Sequence, residues 1–336
     1  MEGNQRKKDY VFASARVRSV EKSLLTREKV EAMRESKTPA EALKILLDQD
    51  YGSGSEGIKP EDFEELLSEE RKKVYQFIMG IVPVKEDLYP FLYPYDYHNL
   101  KVLMKAELSE TDSEQFLIDL GTIPPGELAI MVRERNFVAM SPTMKNALQE
   151  VVDVFSRTKD PQTIDFILDR ACYEEMVLGA EASGNVFIQG YIRLLVDTVN
   201  LKTFTRLRQM GKNWDFFSQV FLRGGNIQEK VFISGYDEPY EQLAEKLIPF
   251  GLSTALGEGG AMLRETGRFT ALERLCDDAL MNYAREAKYI SFGIEPLAAY
   301  LIAKEGEMKN ARIVMTGLLQ GLSPEMLAER VRETYV

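Results

Sequence analysis

One repeated pattern limits what this chain can fold into more than any other feature. Asp96-Tyr97-His98-Asn99-Leu100-Lys101-Val102-Leu103-Met104-Lys105 returns 101 residues later as Asp197-Thr198-Val199-Asn200-Leu201-Lys202-Thr203-Phe204-Thr205-Arg206. Both copies read D-x-x-N-L-K-x-apolar-x-basic. A third, fainter candidate stands 108 residues further on at Glu305-Gly306-Glu307-Met308-Lys309-Asn310, where the acid Glu305 and a nearby Lys are kept and the Asn is read as lost. Both offsets are close to a third of the 336 residues, which predicts three similar helical units at 1–115, 116–222 and 223–336. The flanks agree: Leu168-Asp169-Arg170-Ala171 and Cys276-Asp277-Asp278-Ala279 each put an acid 28 residues ahead of the acid that opens the next copy, and Gly121-Thr122-Ile123 answers Gly225-Asn226-Ile227.

The units are predicted to be helices. Apolar residues fall three and four apart, as in Leu43, Leu46, Leu47 and in Ile192, Leu195, Val196, Val199, while runs of period two are scarce, so the chain reads as all-α. Thr38-Pro39-Ala40-Glu41 and Ser323-Pro324-Glu325 supply a capping oxygen, a proline at the first helical position and an early acid, which open helices. Breaks are expected at Tyr51–Gly57, Gly121–Gly126, Gly224-Gly225-Asn226 and Gly257-Glu258-Gly259-Gly260. On a helix Asp197, Asn200, Leu201 and Phe204 share one face, and Lys202 and Arg206 another. A polar pair among apolar neighbours costs stability unless its hydrogen bonds are met, and its best attested use is to fix one register of packing. The competing reading, a carboxylate that gathers substrate or metal, lacks a second acid or His at ligand spacing.

Chemistry finds little to work with. His98 is the only imidazole, so a multi-His metal site is excluded, and Tyr95 stands where the Glu of a Glu-x-x-His would be. No G-x-S-x-G elbow accompanies it. Gly52-x-Gly54-x-x-Gly57 matches a dinucleotide fingerprint by letter yet follows a helical run rather than a strand, and no Gly-Lys-Ser/Thr follows Gly257-Glu258-Gly259-Gly260-Ala261-Met262. The adjacent acids Glu174-Glu175 and Asp277-Asp278 diverge by about 100° on a helix and are expected on solvated faces. No cofactor and no direct nucleotide binding are expected. Cys172 and Cys276 both fall in helical spacing and read as small buried hydrophobes of a reducing compartment.

With 42 Lys+Arg against 53 Asp+Glu, the formal charge of -11 repels phosphate backbones and argues against nucleic acid as a partner. No apolar stretch approaches the roughly 18 residues of a membrane helix, and Met1–Asp9 has no signal-peptide core, so a cytoplasmic location is expected. Aromatics crowd into Tyr89, Phe91, Tyr93, Tyr95 and Tyr97, around Pro90 and Pro94, a segment expected to approach the repeated helix in an extended or kinked form. Packing between helices is one reading of Tyr89, Phe91, Tyr93 and Tyr95; a protein interface is the other.

Tyr10-Val11-Phe12-Ala13-Ser14-Ala15-Arg16-Val17-Arg18-Ser19-Val20, the D-x-x-N-L-K segments, the Gly-Thr-Ile turn and the closing Ser323–Arg332 run together resemble the C subunit of the archaeal and bacterial V/A-type ATPases, equivalent to the eukaryotic d subunit. The resemblance spans essentially the whole chain. It implies a funnel of three similar helical units about a pseudo-threefold axis, with no catalytic site. It further implies a central-stalk socket on the cytoplasmic face of the membrane. There it would join the D and F subunits of the central shaft to the rotor ring subunits (c/K), with the membrane stator subunit as a further neighbour, and couple ATP turnover to proton or sodium transport. The alternative from the residues alone is a soluble helical-repeat scaffold, although units near 100 residues far exceed the usual length of about 34 to 45.

Overall fold

Local signals start the helices where the sequence places them. Thr38 accepts from the Glu41 N–H and Ser323 from the Met326 N–H, each ahead of a proline at the first helical position. The computed structural model describes residues 9–52, 57–109 and 113–336, and among them there are helices, 3-10 turns and loops but no strand. The start of the chain before Asp9 and the middle of the Gly52–Gly57 run lie outside the described residues. The α-helices are α1 (Val11–Val20), α2 (Arg27–Arg34), α3 (Pro39–Leu47), α4 (Phe63–Ile81), α5 (Tyr93–Ser109), α6 (Pro125–Arg133), α7 (Pro142–Thr158) and α8 (Gln162–Ser183). They continue as α9 (Val186–Gln209), α10 (Trp214–Val220), α11 (Glu229–Ser234), α12 (Tyr240–Lys246), α13 (Ser253–Thr266), α14 (Thr270–Arg285), α15 (Glu295–Leu319) and α16 (Pro324–Ala328). None is long and apolar enough to cross a membrane.

Contacts divide the protein into two compact units. The first holds the chain up to Pro83, Leu201–Arg208 and Lys230–Val336. Its centre is α15, buried on most sides along its length, because its apolar residues are not confined to one stripe. Met308, Ala311, Val314 and Met315 of α15 meet Leu25, Val30, Met33, Leu43, Leu46, Phe63, Leu66 and Leu67 from the N-terminal helices. Each such fully buried large side chain contributes about 1.5–3 kcal/mol relative to exposure. The second unit holds Val84–Asn200 and Gln209–Glu229, where α8 packs on α5 and α7, and the 3-10 helix Lys85–Phe91 leads into α5. The approach to the repeated helix is thus a tight helical turn and not an extended segment. Cys172 and Cys276 are buried free thiols, one in each unit, and burial pushes that of Cys276 up to about 12.

The glycine run at 257–260 is not a break: it lies inside α13. A Cβ on Gly259 would stand 2.6 Å from the Leu272 Cα, and one on Gly260 2.9 Å from the Tyr240 ring. Tertiary packing therefore overrides the low helix propensity of glycine, which lets α13 press against the backbone of α14. A Cβ on Gly257, in the same helix, would meet only the Ala244 methyl group, at 3.7 Å. Gly259→Ala is expected to lower stability by about 1–3 kcal/mol through overpacking, and Gly257→Ala to raise it by about 0.5–1 kcal/mol. Denaturant titrations of the two variants check both signs.

Candidate functional site

Three motif helices, α5, α9 and α15, carry the same device. In each, an Asn side chain forms two hydrogen bonds to the backbone of a loop about twenty residues onward. The Asn99 Nδ2 donates to Ile118 O and the Ile118 N–H to Asn99 Oδ1, both at 2.8 Å. The Asn200 Nδ2 donates to Leu222 O at 2.8 Å and the Leu222 N–H to Asn200 Oδ1 at 2.9 Å. The Asn310 Nδ2 donates to Arg332 O at 3.0 Å and the Arg332 N–H to Asn310 Oδ1 at 2.8 Å. An amide carries a donor and an acceptor at fixed separation, so it substitutes for the peptide partner that an irregular segment lacks.

The acid one turn earlier holds the same loop further along. Asp96 accepts from Thr122 N–H at 2.9 Å, Thr122 Oγ1 at 2.7 Å and Ile123 N–H at 3.1 Å. Asp197 accepts from Asn226 N–H at 3.0 Å, Asn226 Nδ2 at 3.2 Å and Ile227 N–H at 3.0 Å. Both carboxylates are fully buried. Burial pushes them above the ordinary aspartate value, and the N–H donors pull back against that rise. The glycine before each pair of donors is obligatory, since a Cβ on Gly121 would lie 2.0 Å from Asp96 Oδ1 and one on Gly225 2.2 Å from Asp197 Oδ1.

The third copy is shifted by two residues from the register read in the sequence. Its Asn is present as Asn310, so the acid in register is Glu307, while Glu305 forms a forked pair with Arg71 at 3.0 and 3.2 Å. Glutamate is one methylene longer, and Glu307 reaches away from the loop: it accepts from Leu25 N–H, from Tyr51 OH at 2.9 Å and from Lys304 Nζ at 2.9 Å. Lys304 also pairs with buried Glu70 at 2.8 Å. Burial opposes its charge, but Glu307 and Glu70 outweigh burial and raise it to about 12. One residue past Arg332, the Glu333 N–H donates to Asp278 of α14 at 2.7 Å, a contact without a counterpart in the first two copies.

The basic residue two positions after each Asn also recurs in role. Lys101 pairs with Asp169 at 2.7 Å, Lys202 with Asp277 at 3.6 Å and Arg312 with Glu64 at 2.7 Å. Of the adjacent acids expected on solvated faces, Glu174 is exposed, whereas Glu175, Asp277 and Asp278 are used inside the protein. Buried Glu175 accepts from Tyr97 OH at 2.6 Å, and Asp277 is gripped by Lys202, Lys309 and Arg332. A helix that is enclosed on several sides has no solvated face for an acid, and spacing along one helix does not show this. The aromatic segment sits half-buried in the second unit. Tyr89 and Tyr93 meet edge to face at 6.3 Å, Phe91 tilts on Tyr191 at 5.8 Å, Tyr95 is likewise half-buried, and desolvation lifts the Tyr93 phenol to about 12.

The loop pinned by Asn200 lines a cavity of about 500 Å³ with Tyr173, Val177, Phe221 and Leu222. His98 Nε2 lies 3.1 Å from Phe116 O. Among the described residues no three His, Cys, Asp or Glu side chains gather as a metal ion requires.

The buried carboxylates and amides of the motif helices are thus committed to holding the chain's own loops. Comparison with known proteins gives the lineage. The ATP synthase (C/AC39) subunit family matches residues 13–330, and the chain belongs to that family. It is 28% identical over 274 residues to the C subunit of the V-type sodium ATPase of Enterococcus hirae, covering 82% of this chain and 83% of the relative. Identity to the C subunit of the A-type ATP synthase of Thermococcus kodakarensis is 25% over 339 residues, covering 96% and 90% respectively. The same subunit of Methanocaldococcus jannaschii is 22% identical over 346 residues, covering 94% and 84%.

The clamps differ in burial, and stability should register it. Asn200→Ala strands the N–H and C=O of buried Leu222 and is expected to cost about 2–4 kcal/mol, while Asn99→Ala costs about half as much because Ile118 is nearer water. Chemical denaturation of both variants reads the difference. Asp277 is the pH-dependent member: burial would raise its pKa, but Lys309 and Lys202 hold it below the ordinary 3.8. Its ion pairs therefore stabilise the fold above that value, and the contribution is lost as pH falls through the lowered one. Asp277→Asn is expected to be less stable than the parent near neutral pH, with the two stabilities converging as pH falls below the lowered value.

Proposed function

We propose that this chain is a non-catalytic central-stalk subunit of a rotary V/A-type ATPase, a socket that joins the central shaft to the membrane rotor ring and couples ATP turnover to proton or sodium transport. The observation that carries the reading is the set of loop clamps in a chain of this family: each commits buried polar groups to rigidity, which is what a part transmitting torque without chemistry needs. In this reading the three motif helices mark three units, 1–115, 116–222 and 223–336, each contributing one motif helix, and the loop residues held by Asp96 and Asp197 belong to the unit that follows. The D and F subunits of the shaft, the ring subunits and the membrane stator subunit are the partners. Tyr89, Phe91, Tyr93 and Tyr95 are candidate contacts with one of them, since half-buried tyrosines present an apolar body and a wet tip. The protein then lies peripherally on the cytoplasmic face of the membrane.

Reconstitution tests the role. Complexes assembled without the chain are expected to keep ATP hydrolysis by the detached catalytic head, because the catalytic groups lie elsewhere, and to lose ion uptake into vesicles until purified protein is added back. Uptake at normal coupling without the chain would refute the socket; loss of hydrolysis by the detached head would assign it a catalytic or allosteric part.

A further inference from the structure

Within the first unit, α2, α14 and the end of α16 with the segment that follows it line a cavity of about 150 Å³ that is rich in arginine, unlike the rest of this acidic protein. Four arginines line it: Arg27 and Arg34 lie two turns apart on α2, Arg274 comes from α14, and Arg332 from the segment held by Asn310. Three acids share the lining, and each is already engaged. Glu31 accepts from Arg27 Nε at 3.0 Å, Asp278 from Glu333 N–H at 2.7 Å, and Glu333 from Arg285 Nη2 at 2.9 Å.

Arg27 and Arg332 already hold Glu31 and Asp277 through Nε, whereas Arg34 and Arg274 have donors to spare. A guanidinium carries five N–H groups. Arg34 uses Nη2 on Glu35, and Arg274 reaches Asp278 through Nη1 only at 3.4 Å. The Nε atoms of Arg34 and Arg274 are both buried and have no hydrogen-bond partner in the protein. Buried donors of a charged group are costly to leave unmet, and both of these belong to residues that line one cavity.

We propose that this cavity is a binding site for a phosphate-sized tetrahedral oxyanion. A carboxylate offers two oxygens and is satisfied by a single guanidinium fork, whereas donors arriving from three separate elements suit an acceptor with oxygens facing several directions. The volume admits a phosphate group. Val30, Ala328 and Val331 complete the wall. Because Arg332 is tethered by Asn310, the bound anion would brace the third clamp against α2 and α14.

Calorimetry and thermal unfolding of the full chain with orthophosphate, against chloride at matched ionic strength, test the site. Arms with ADP and with phosphatidic acid vesicles separate free phosphate from a nucleotide or a lipid headgroup as the source. Saturable binding of at least one probe is expected, weakened by roughly tenfold or more in Arg34→Gln and in Arg274→Gln, the loss of one charge-assisted hydrogen bond. Arg34→Lys, which keeps the charge and loses the fork, should restore only part of it. Crystals soaked in tungstate, a heavier tetrahedral oxyanion, should show the metal between these arginines even if one variant folds poorly. The site is refuted if none of the three probes binds, if binding is undiminished in both glutamine variants, or if tungstate occupies only other positions.

Discussion

A carboxylate and an amide side by side on a buried helix face must find partners for every lone pair and every N–H, because each polar group left dry and unpaired costs about 1–3 kcal/mol. Asp197 and Asn200 meet that demand by reaching out of their helix to a loop, where Asn226, Ile227 and Leu222 supply backbone groups with the same need. Each unmet group satisfies another. The loop gains a fixed course without joining a helix or a sheet, and the helix gains a buried polar face that is satisfied in one register only. Gly225 follows from the same contact, since any side chain there would occupy the carboxylate's place.

The three copies show how far the device can be altered and still work. The amide half is constant, from Asn99 to Asn200 to Asn310, because only a planar group with adjacent donor and acceptor can imitate a peptide. The acid half is not. Glu307 leaves its loop and anchors Leu25 and Tyr51 instead, and a carboxylate on a different helix, Asp278, holds another N–H of that segment, Glu333, directly after the amide's own partner. A carboxylate can be replaced from another direction because its oxygens accept over a broad range of angles. An amide has no such freedom.

That asymmetry accounts for what the sequence reveals and conceals. The helical class, the capped starts at Thr38 and Ser323 and the structural use of the buried Asp–Asn pair are legible because each rests on residues close together in sequence. That the pair holds a loop and not a neighbouring helix is not legible, since the spacing along one helix names no partner. The third register is hidden because Glu305 matches the expected offset more closely than Glu307, and the role of Glu307 lies in contacts with Leu25 and Tyr51, 282 and 256 residues away. Gly257–Gly260 misleads for a related reason: glycine marks a turn in the local code, but here it marks where two helices come closest. Burial of Glu175 and Asp278 is likewise a property of how many elements surround a helix, which periodicity along that one helix does not report.

Rigidity of this kind differs from that of a hydrophobic core. Apolar packing is nondirectional, so a loop held by it alone can slide by a fraction of an ångström at little cost. A loop held by two antiparallel hydrogen bonds from one amide, with a carboxylate binding two successive N–H groups a few residues on, has its position and orientation specified together. Displacement must break several short bonds at once in a site that water reaches poorly. Ion pairs such as Lys101 with Asp169 and Arg312 with Glu64 then tie the clamped helix to its neighbour, so a force on the loop passes into a helix pair instead of a single helix. A loop fixed in both position and orientation gains more from directional clamps than from additional apolar area, and the buried aspartates supply such clamps because their N–H partners offset the cost of desolvation.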